Sequence, residues 1–309
     1  MTNVFIDGKE GTTGLQIYER LGSRDDVSVT SLPDELRKDP VARKKCINEA
    51  DIVFLCLPDA AARESVSLCE NPDVKIIDAS TAHRTSPDWA YGFPELSAKH
   101  REKIVLSRRV AVPGCHASGF VSLVYPLIAG GIVSADYPFV AYSVTGYSGG
   151  GKKMIAEYES KERSVALDSP RQYGLGQTHK HLPEMQAVCG LAAPPVFSPI
   201  VSDYYSGMCV TVPLISRLLT KKYSVSQVKA YFSEYYASQN LLHISDMEEG
   251  FLAANALAGR DDMRICVGGN DERILLCSVF DNLGKGASGA AVQCMNILLG
   301  LDERTSLAL

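Results

Sequence analysis

The sequence predicts an α/β fold of two domains, a doubly wound parallel sheet followed by an α+β unit built on a mixed sheet. Three observations carry this. The first third alternates short β-branched runs with amphipathic stretches, as in a parallel sheet covered by helices on both faces. Three glycines spaced three apart, Gly8, Gly11 and Gly14, separate the first such run from the first amphipathic stretch. After about residue 110 the apolar runs lengthen and are bounded by Gly and Pro, the habit of mixed or antiparallel sheets.

In chain order, Asn3–Asp7 (NVFID), Val27–Ser31 (VSVTS), Ile52–Leu57 (IVFLCL) and Lys75–Asp78 (KIID) are expected to be buried parallel strands. Thr13–Leu21, Val41–Ala50 and Ala60–Cys69 carry helical spacing between them, which gives right-handed crossovers. Arg109–Val112 is a further short strand, and Cys115–Gly130 is an apolar helix that starts directly after Pro113-Gly114. Strands are expected from Phe139 (FVAYSVTGYS), at Val196–Val201, at Met208–Pro213 and at Ile274–Phe280, with a helix at Val225–Ala237 and a closing helix at Ala287–Leu299. The joint falls close to residue 114.

Composition excludes several classes. Thirty-one basic against 36 acidic residues give a net charge of −5, which lacks the clustered basic surface that a nucleic acid requires. No run approaches the ~18 consecutive apolar residues of a membrane helix, and the N-terminus MTNVFIDGKEGTTG does not have the pattern of a signal peptide. Nine cysteines without CxxC spacing fit reduced thiols in the cytoplasm, with no disulfide framework and no metal site.

Gly8, Gly11 and Gly14 form G-x-x-G-x-x-G directly after the first strand and before the first helix. Glycines let the chain turn tightly and bring backbone N–H groups against a pyrophosphate, and the helix N-terminus adds its positive end. The first domain is therefore expected to be a Rossmann-like dinucleotide-binding domain. Thr12 and Thr13 belong to the same loop. The second strand ends in Thr30-Ser31-Leu32, with Arg37 and Lys38 shortly after, where NAD-binding chains usually place an acidic residue. A small hydroxyl at Ser31 and a cation at Arg37 suit a 2′-phosphate, so NADP is expected, although Asp34 and Glu35 offer carboxylates nearby.

Cys115 stands apart from the other cysteines because Val112-Pro113-Gly114-Cys115 is a tight turn entering a helix. A thiol there meets unpaired N–H groups and the positive end of the dipole, conditions that favour a thiolate nucleophile. Beside a nicotinamide, such a thiolate suggests thioester or thiohemiacetal chemistry at an acyl carbon. The chemistry needs a proton carrier. His116 adjoins Cys115, but successive helix residues point about 100° apart, which disfavours direct pairing. His179 and His181 lie together in THKHLPE, and on an extended segment their rings would point to opposite sides. Pro183-Glu184 reads as a helix start, where the Glu184 carboxylate could orient an imidazole.

These pieces, with DASTAHR at 78–84, PGCHASG at 113–119, SGGGKK at 148–153 and DNLGKGASGAAVQCMN at 281–296, resemble the N-acetyl-γ-glutamyl-phosphate reductases of the short type. The sequence is more distantly similar to aspartate-semialdehyde dehydrogenases. The resemblance spans nearly the whole chain. It implies that Cys115 attacks an acyl phosphate, that NADPH reduces the resulting thioester, and that a histidine of THKHLPE, with His179 preferred over His181, moves the proton. It further implies that Arg84 holds the substrate phosphate, that Asn282 lies near the nicotinamide, and that Lys152 stands in a loop near the active site where the long type has arginine. The closing helix would return to the first domain, giving residues 1–114 and 286–309 for the nucleotide and 115–285 for catalysis and for assembly into a homodimer or homotetramer. Aspartate-semialdehyde dehydrogenase or another phosphorylating aldehyde dehydrogenase is the neighbouring reading. A redox-sensing nucleotide-binding protein without turnover gives no reason for the histidines and Arg84.

Overall fold

The computed structural model of the protein describes residues 1–247 and 250–309. Its principal elements in chain order are β1 (Thr2–Asp7), α1 (Thr12–Leu21), β2 (Val27–Thr30), α2 (Pro40–Glu49), β3 (Ile52–Leu55), α3 (Asp59–Leu68), β4 (Lys75–Asp78), β5 (Ala90–Tyr91), α4 (Ala98–Leu106) and β6 (Arg109–Ala111). These are followed by α5 (Cys115–Ala129), β7 (Val140–Gly146), α6 (Gly151–Glu159), β8 (Arg171–Gln172), α7 (Leu182–Cys189), β9 (Val196–Ser202) and β10 (Met208–Ile215). The last are α8 (Val225–Tyr235), β11 (Leu242–Ser245), β12 (Met263–Asn270), β13 (Arg273–Phe280) and α9 (Gly289–Leu298). The chain divides into two compact units, Met1–Gly114 with Ala287–Leu307, and Cys115–Gly286 with Ala308–Leu309.

The first unit is a six-stranded parallel sheet in the order β2-β1-β3-β4-β6-β5. Alternate residues of its strands serve opposite faces. Val4, Ile6, Ile52, Phe54 and Ile77 meet Ile17 and Leu21 of α1 and Ala291, Val292 and Met295 of α9. Phe5, Val53, Leu55 and Ile76 meet Ile47 of α2, Ala62 of α3 and Trp89. Both faces are buried, which is why the strands read as unbroken apolar runs. The strand order reverses between β1 and β3, and in open α/β sheets ligands bind outside the carboxyl ends at such a switch point.

The second unit is a seven-stranded mixed sheet, β11-β12-β13-β10-β7-β9-β8, in which β7–β9 and β11–β12 are the parallel pairs. Helix α5 packs on one face so closely that a Cβ at Gly119 would lie 2.3 Å from Val210 Cγ2. Pro126 inside α5 cannot donate to the carbonyl of Ser122 four residues back. The hydroxyl of Tyr236 donates to that carbonyl instead, at 2.8 Å. On the opposite face, Cys209, Cys266, Cys277 and Val279 lie under Leu257.

Helices α4 and α6 and strands β11 and β12 were not anticipated from the sequence. Helix α4 (AKHREKIVL) buries Ile104 alone, so it shows little apolar periodicity, and β12 ends in Gly-Gly-Asn, which resembles a turn. The closing helix begins with a π-helical turn at Gly284–Ser288. None of the described helices is long and apolar enough to cross a membrane.

Candidate active site

In the first unit, the glycine loop differs in its requirements from one glycine to the next. Gly8 has φ +93°, and a Cβ there would stand 2.4 Å from the Cys56 carbonyl oxygen. A Cβ on Gly14 would stand 2.5 Å from the Gly8 carbonyl oxygen. These two glycines let β1, the loop and α1 close on each other. A Cβ on Gly11 would make ordinary contacts of 3.5 and 3.6 Å with the Gly8 and Cys56 carbonyl oxygens, so this position does not require glycine on steric grounds. Gly11 caps α1 without any side-chain hydrogen bond, so Thr12 and Thr13 open a helix whose first N–H groups are not capped by a side chain. An uncapped helix start in a glycine loop fits a pyrophosphate.

Asp7, at the end of β1, anchors this loop from below. The buried guanidinium of Arg43 donates to Asp7 Oδ2 through Nε at 3.2 Å and Nη2 at 3.1 Å, and to Glu64 at 2.7 Å. Ser65 Oγ donates to the same Asp7 oxygen at 2.7 Å. Burying this carboxylate is tolerated because it is both paired and hydrogen-bonded. Ser31 follows directly on β2, and Arg37 sits on the next turn, half exposed and 3.7 Å from Asp34. The acidic neighbour weighed from the sequence thus partners the cation.

Arg84 lies at the carboxyl edge of the same sheet. Its Nε donates to the Val112 carbonyl at 2.8 Å and its Nη2 to the Ala79 carbonyl at 3.1 Å. The preceding segment is rigid. Asp78 accepts from Ser80 N and Ser80 Oγ, both at 2.8 Å, and pairs with His83 Nδ1 at 2.6 Å. The His83 ring stacks on Trp89 at 4.1 Å. Three of the motif's polar residues, Asp78, Ser80 and His83, therefore hold the loop that carries Arg84.

In the second unit, Cys115 is the first residue of α5 and is partly exposed. A Cβ on Gly286 would lie 3.0 Å from the Cys115 Cβ, so the 281–286 loop reaches Cys115 and leaves little room for a side chain there. Asp281 builds that loop by accepting from Leu283 N at 2.7 Å, Gly284 N at 3.2 Å and Ser206 Oγ at 3.0 Å. Asn282 is buried, with Oδ1 accepting from Gly207 N at 2.8 Å and Nδ2 donating to Ser148 Oγ at 3.0 Å. Its amide thereby ties the SGGG segment to the 204–207 turn. Lys152 is exposed on the first turn of α6.

The histidines gather, and here one expectation is corrected. The segment before α7 is a turn and not an extended strand, with His181 in αR conformation (φ −87°, ψ −10°). The His179 and His181 rings consequently lie on the same side, 4.7 Å apart. His116 joins them at 5.4 and 5.6 Å. His181 N donates to His179 Nδ1 at 3.2 Å, which places the proton of a neutral His179 ring on Nε2. Burial, with Lys180 adding to it, pushes His179 down to about 4. Burial, His179 and Lys180 push His116 down to about 3. Glu184 is buried in the first turn of α7, where the helix dipole favours a carboxylate.

Sequence reasoning missed Ser143 and Tyr173 and passed over His116. Its ring bridges Ser143 Oγ at 2.8 Å and Tyr173 OH at 2.7 Å. Tyr173 comes from an irregular loop and Ser143 from a neighbouring strand, so no spacing could have joined them. No group of three or more His, Cys, Asp or Glu among the described residues has the arrangement of a metal site.

Both depressed histidines have a consequence for folding. Their pKa values are lower in the folded than in the unfolded chain, so unfolding below the ordinary pKa of 6.5 takes up protons, and stability falls as pH drops from 6.5 towards 4. Denaturant titrations at pH 7 and 5 should show this loss, and His116→Gln should make the slope with pH shallower.

Residues 23–104 match the family described as semialdehyde dehydrogenase, NAD binding domain, and residues 115–282 match semialdehyde dehydrogenase, dimerisation domain. In overall structure the chain is similar to aspartate semialdehyde dehydrogenase II from Vibrio cholerae, with a TM-score of 0.74 at 16% identity, covering 97% of this chain and 98% of that one. It is 47% identical to N-acetyl-gamma-glutamyl-phosphate reductase of Burkholderia lata over 96% of each chain. It is 45% identical to N-acetyl-gamma-glutamyl-phosphate reductase 2 of Pseudomonas putida, again over 96% of each. The first unit is thus a nicotinamide-dinucleotide-binding Rossmann domain. Identity of this extent along the full length makes the chain a member of the N-acetyl-γ-glutamyl-phosphate reductase family, oxidoreductases of the semialdehyde dehydrogenase group.

Proposed function

We propose that this protein reduces N-acetyl-γ-glutamyl phosphate to N-acetyl-L-glutamate 5-semialdehyde and phosphate, with NADPH as reductant, in cytoplasmic arginine biosynthesis. The observation that carries the reading is a partly exposed Cys115 heading a helix, followed by a cluster of three histidines, in a chain 47% identical to a protein of that name. Cys115 attacks the acyl carbon, a C–S bond forms, the C–O bond to phosphorus breaks, and phosphate leaves. Bound NADPH supplies a hydride to the acyl carbon, and collapse of the thiohemiacetal releases aldehyde and regenerates the thiolate.

The chain's own residues divide the remaining work. Gly8, Gly11, Thr12, Thr13 and Gly14 hold the pyrophosphate, Ser31 and Arg37 the 2′-phosphate, and Arg84 the substrate phosphate. Asn282 keeps the Ser148 loop in place, and Lys152 adds positive charge near its tip. A neutral His179 with its proton on Nε2 is a fixed hydrogen-bond donor, which leaves proton transfer to His181, with Glu184 buried in the helix turn that follows it. His181→Gln is expected to lower kcat by about 10²–10³-fold. His179 is neutral above about pH 4, so His179→Gln should leave the acid limb of the kcat profile where it is in the wild type.

The test is a spectrophotometric assay run in reverse, with N-acetylglutamate semialdehyde, NADP and inorganic phosphate. NADPH formation that requires phosphate is the expected result. Turnover only with aspartate semialdehyde would move the substrate, and silence with both would end the enzyme reading.

The second unit would also assemble the protein. On the sheet face away from α5, Val140, Tyr142 and Val196 are 41%, 39% and 56% exposed, and Val140 pairs with Val196 across β7–β9. An apolar strand pair left open in this way suits a second copy of the chain. Tyr142→Lys combined with Val196→Glu should lower the light-scattering mass to that of a monomer.

A further inference from the structure

Ser143 is fully buried, and among the described residues its hydroxyl meets only one hydrogen-bond partner, His116 Nδ1 at 2.8 Å. A buried hydroxyl proton needs an acceptor. That nitrogen is the only acceptor offered to Ser143, which is fully buried where Tyr173 is partly exposed, so Ser143 donates and Nδ1 carries no proton. A neutral imidazole then carries its proton on Nε2. That N–H points at the Tyr173 oxygen 2.7 Å away, so the phenol accepts from His116. The phenol's own proton is therefore not directed at the ring. No other side-chain partner takes it among the described residues, since Tyr173 otherwise donates only its backbone N–H, to Pro199 O at 3.0 Å.

Resting on the reading above, we propose that Ser143 and His116 are positioning residues that turn Tyr173 into a fixed hydrogen-bond donor toward the acyl group carried by Cys115. His116 follows Cys115 on α5, so the phenol that it holds is anchored one residue from the nucleophile. Reversed, with Tyr173 donating to Nε2, the phenol would present only lone pairs, which repel a developing oxyanion. A single serine hydroxyl one layer below the site sets this polarity. Burial, with Cys115 adding to it, pushes the Tyr173 phenol up, so it keeps its proton across the working pH range. A donor fixed before reaction stabilises charge as it develops, without reorganisation.

The first test needs no turnover. In protein labelled with ¹⁵N-histidine, the wild type should show His116 with a bare Nδ1 and a protonated Nε2, and Ser143→Ala should abolish that preference. A protonated Nδ1 in the wild type overturns the proposal, whatever the substrate proves to be. In the reverse assay, Ser143→Ala and Tyr173→Phe should each lower kcat about ten-fold with KM for the semialdehyde unchanged, and the double variant should be no slower than Tyr173→Phe. Ser143→Thr, which keeps the hydroxyl, should recover most of the loss. Losses that multiply in the double variant, or a Ser143→Ala enzyme with wild-type kcat, would overturn it. If Ser143→Ala does not fold, His116→Gln replaces it: its amide keeps a donor near the Nε2 position, and it should lose less activity than His116→Phe.

Discussion

Cys115→Ser is expected to lower phosphate-dependent turnover by at least about 10⁴-fold, because a serine hydroxyl at a helix start remains protonated where a thiol ionises. NADPH affinity should not change, since the nucleotide loop lies in the other unit. Single-turnover mixing of wild-type enzyme with the acyl phosphate, without reductant, should release one phosphate per active site and leave Cys115 acylated, visible as a mass increase. The serine variant should show neither. Normal turnover by that variant would exclude covalent catalysis.

Gly8→Ala is expected to cost about 2–4 kcal/mol in stability and to raise the Kd for NADPH by at least about ten-fold. Two effects add at this position. The backbone is at φ +93°, and the new methyl would meet the Cys56 carbonyl at 2.4 Å, a backbone atom that cannot step aside without moving β3 away from β1. Gly11→Ala is the informative contrast, because nothing stands within 3.4 Å of its Cβ. It should fold normally, since its methyl would make only ordinary contacts with the Gly8 and Cys56 carbonyl oxygens, so any loss should be of NADPH affinity alone. Thermal melts with and without nucleotide separate the two outcomes.

The parts of the site that were legible in the sequence are those whose chemistry is local. A glycine loop after a strand, and a Pro-Gly-Cys turn into an apolar helix, state their requirements within a few residues. The histidine pair was legible as a pair, but its geometry was not. Alternation on an extended chain would separate His179 from His181, whereas the turn ahead of Pro183 brings them together. Strand β7 was readable as a strand and misleading as to its faces. Val140 and Tyr142, the apolar side, face outward, while Ser143 and Thr145 face α5. That inversion follows from a demand the strand's sequence does not reveal: a helix that presents His116 to Ser143. The sequence places Asn282 in a motif, but not its amide between Ser148 and Gly207. Such pairings depend on loops far apart in sequence.

The return of α9 to the first unit has a consequence for how the protein is made. Val4, Ile6 and Phe54 cannot finish their core until Ala291, Val292 and Met295 arrive, more than two hundred residues later. On the ribosome, the first unit must therefore wait with all six strands made but one face of its sheet uncovered while the second is synthesised and begins to fold. A released chain truncated after Gly286 should show a protease-resistant second unit beside a cleavable N-terminal one. Release of α9 from the exit tunnel is then the event that closes the nucleotide domain, so nucleotide binding waits on a helix made after the whole second unit.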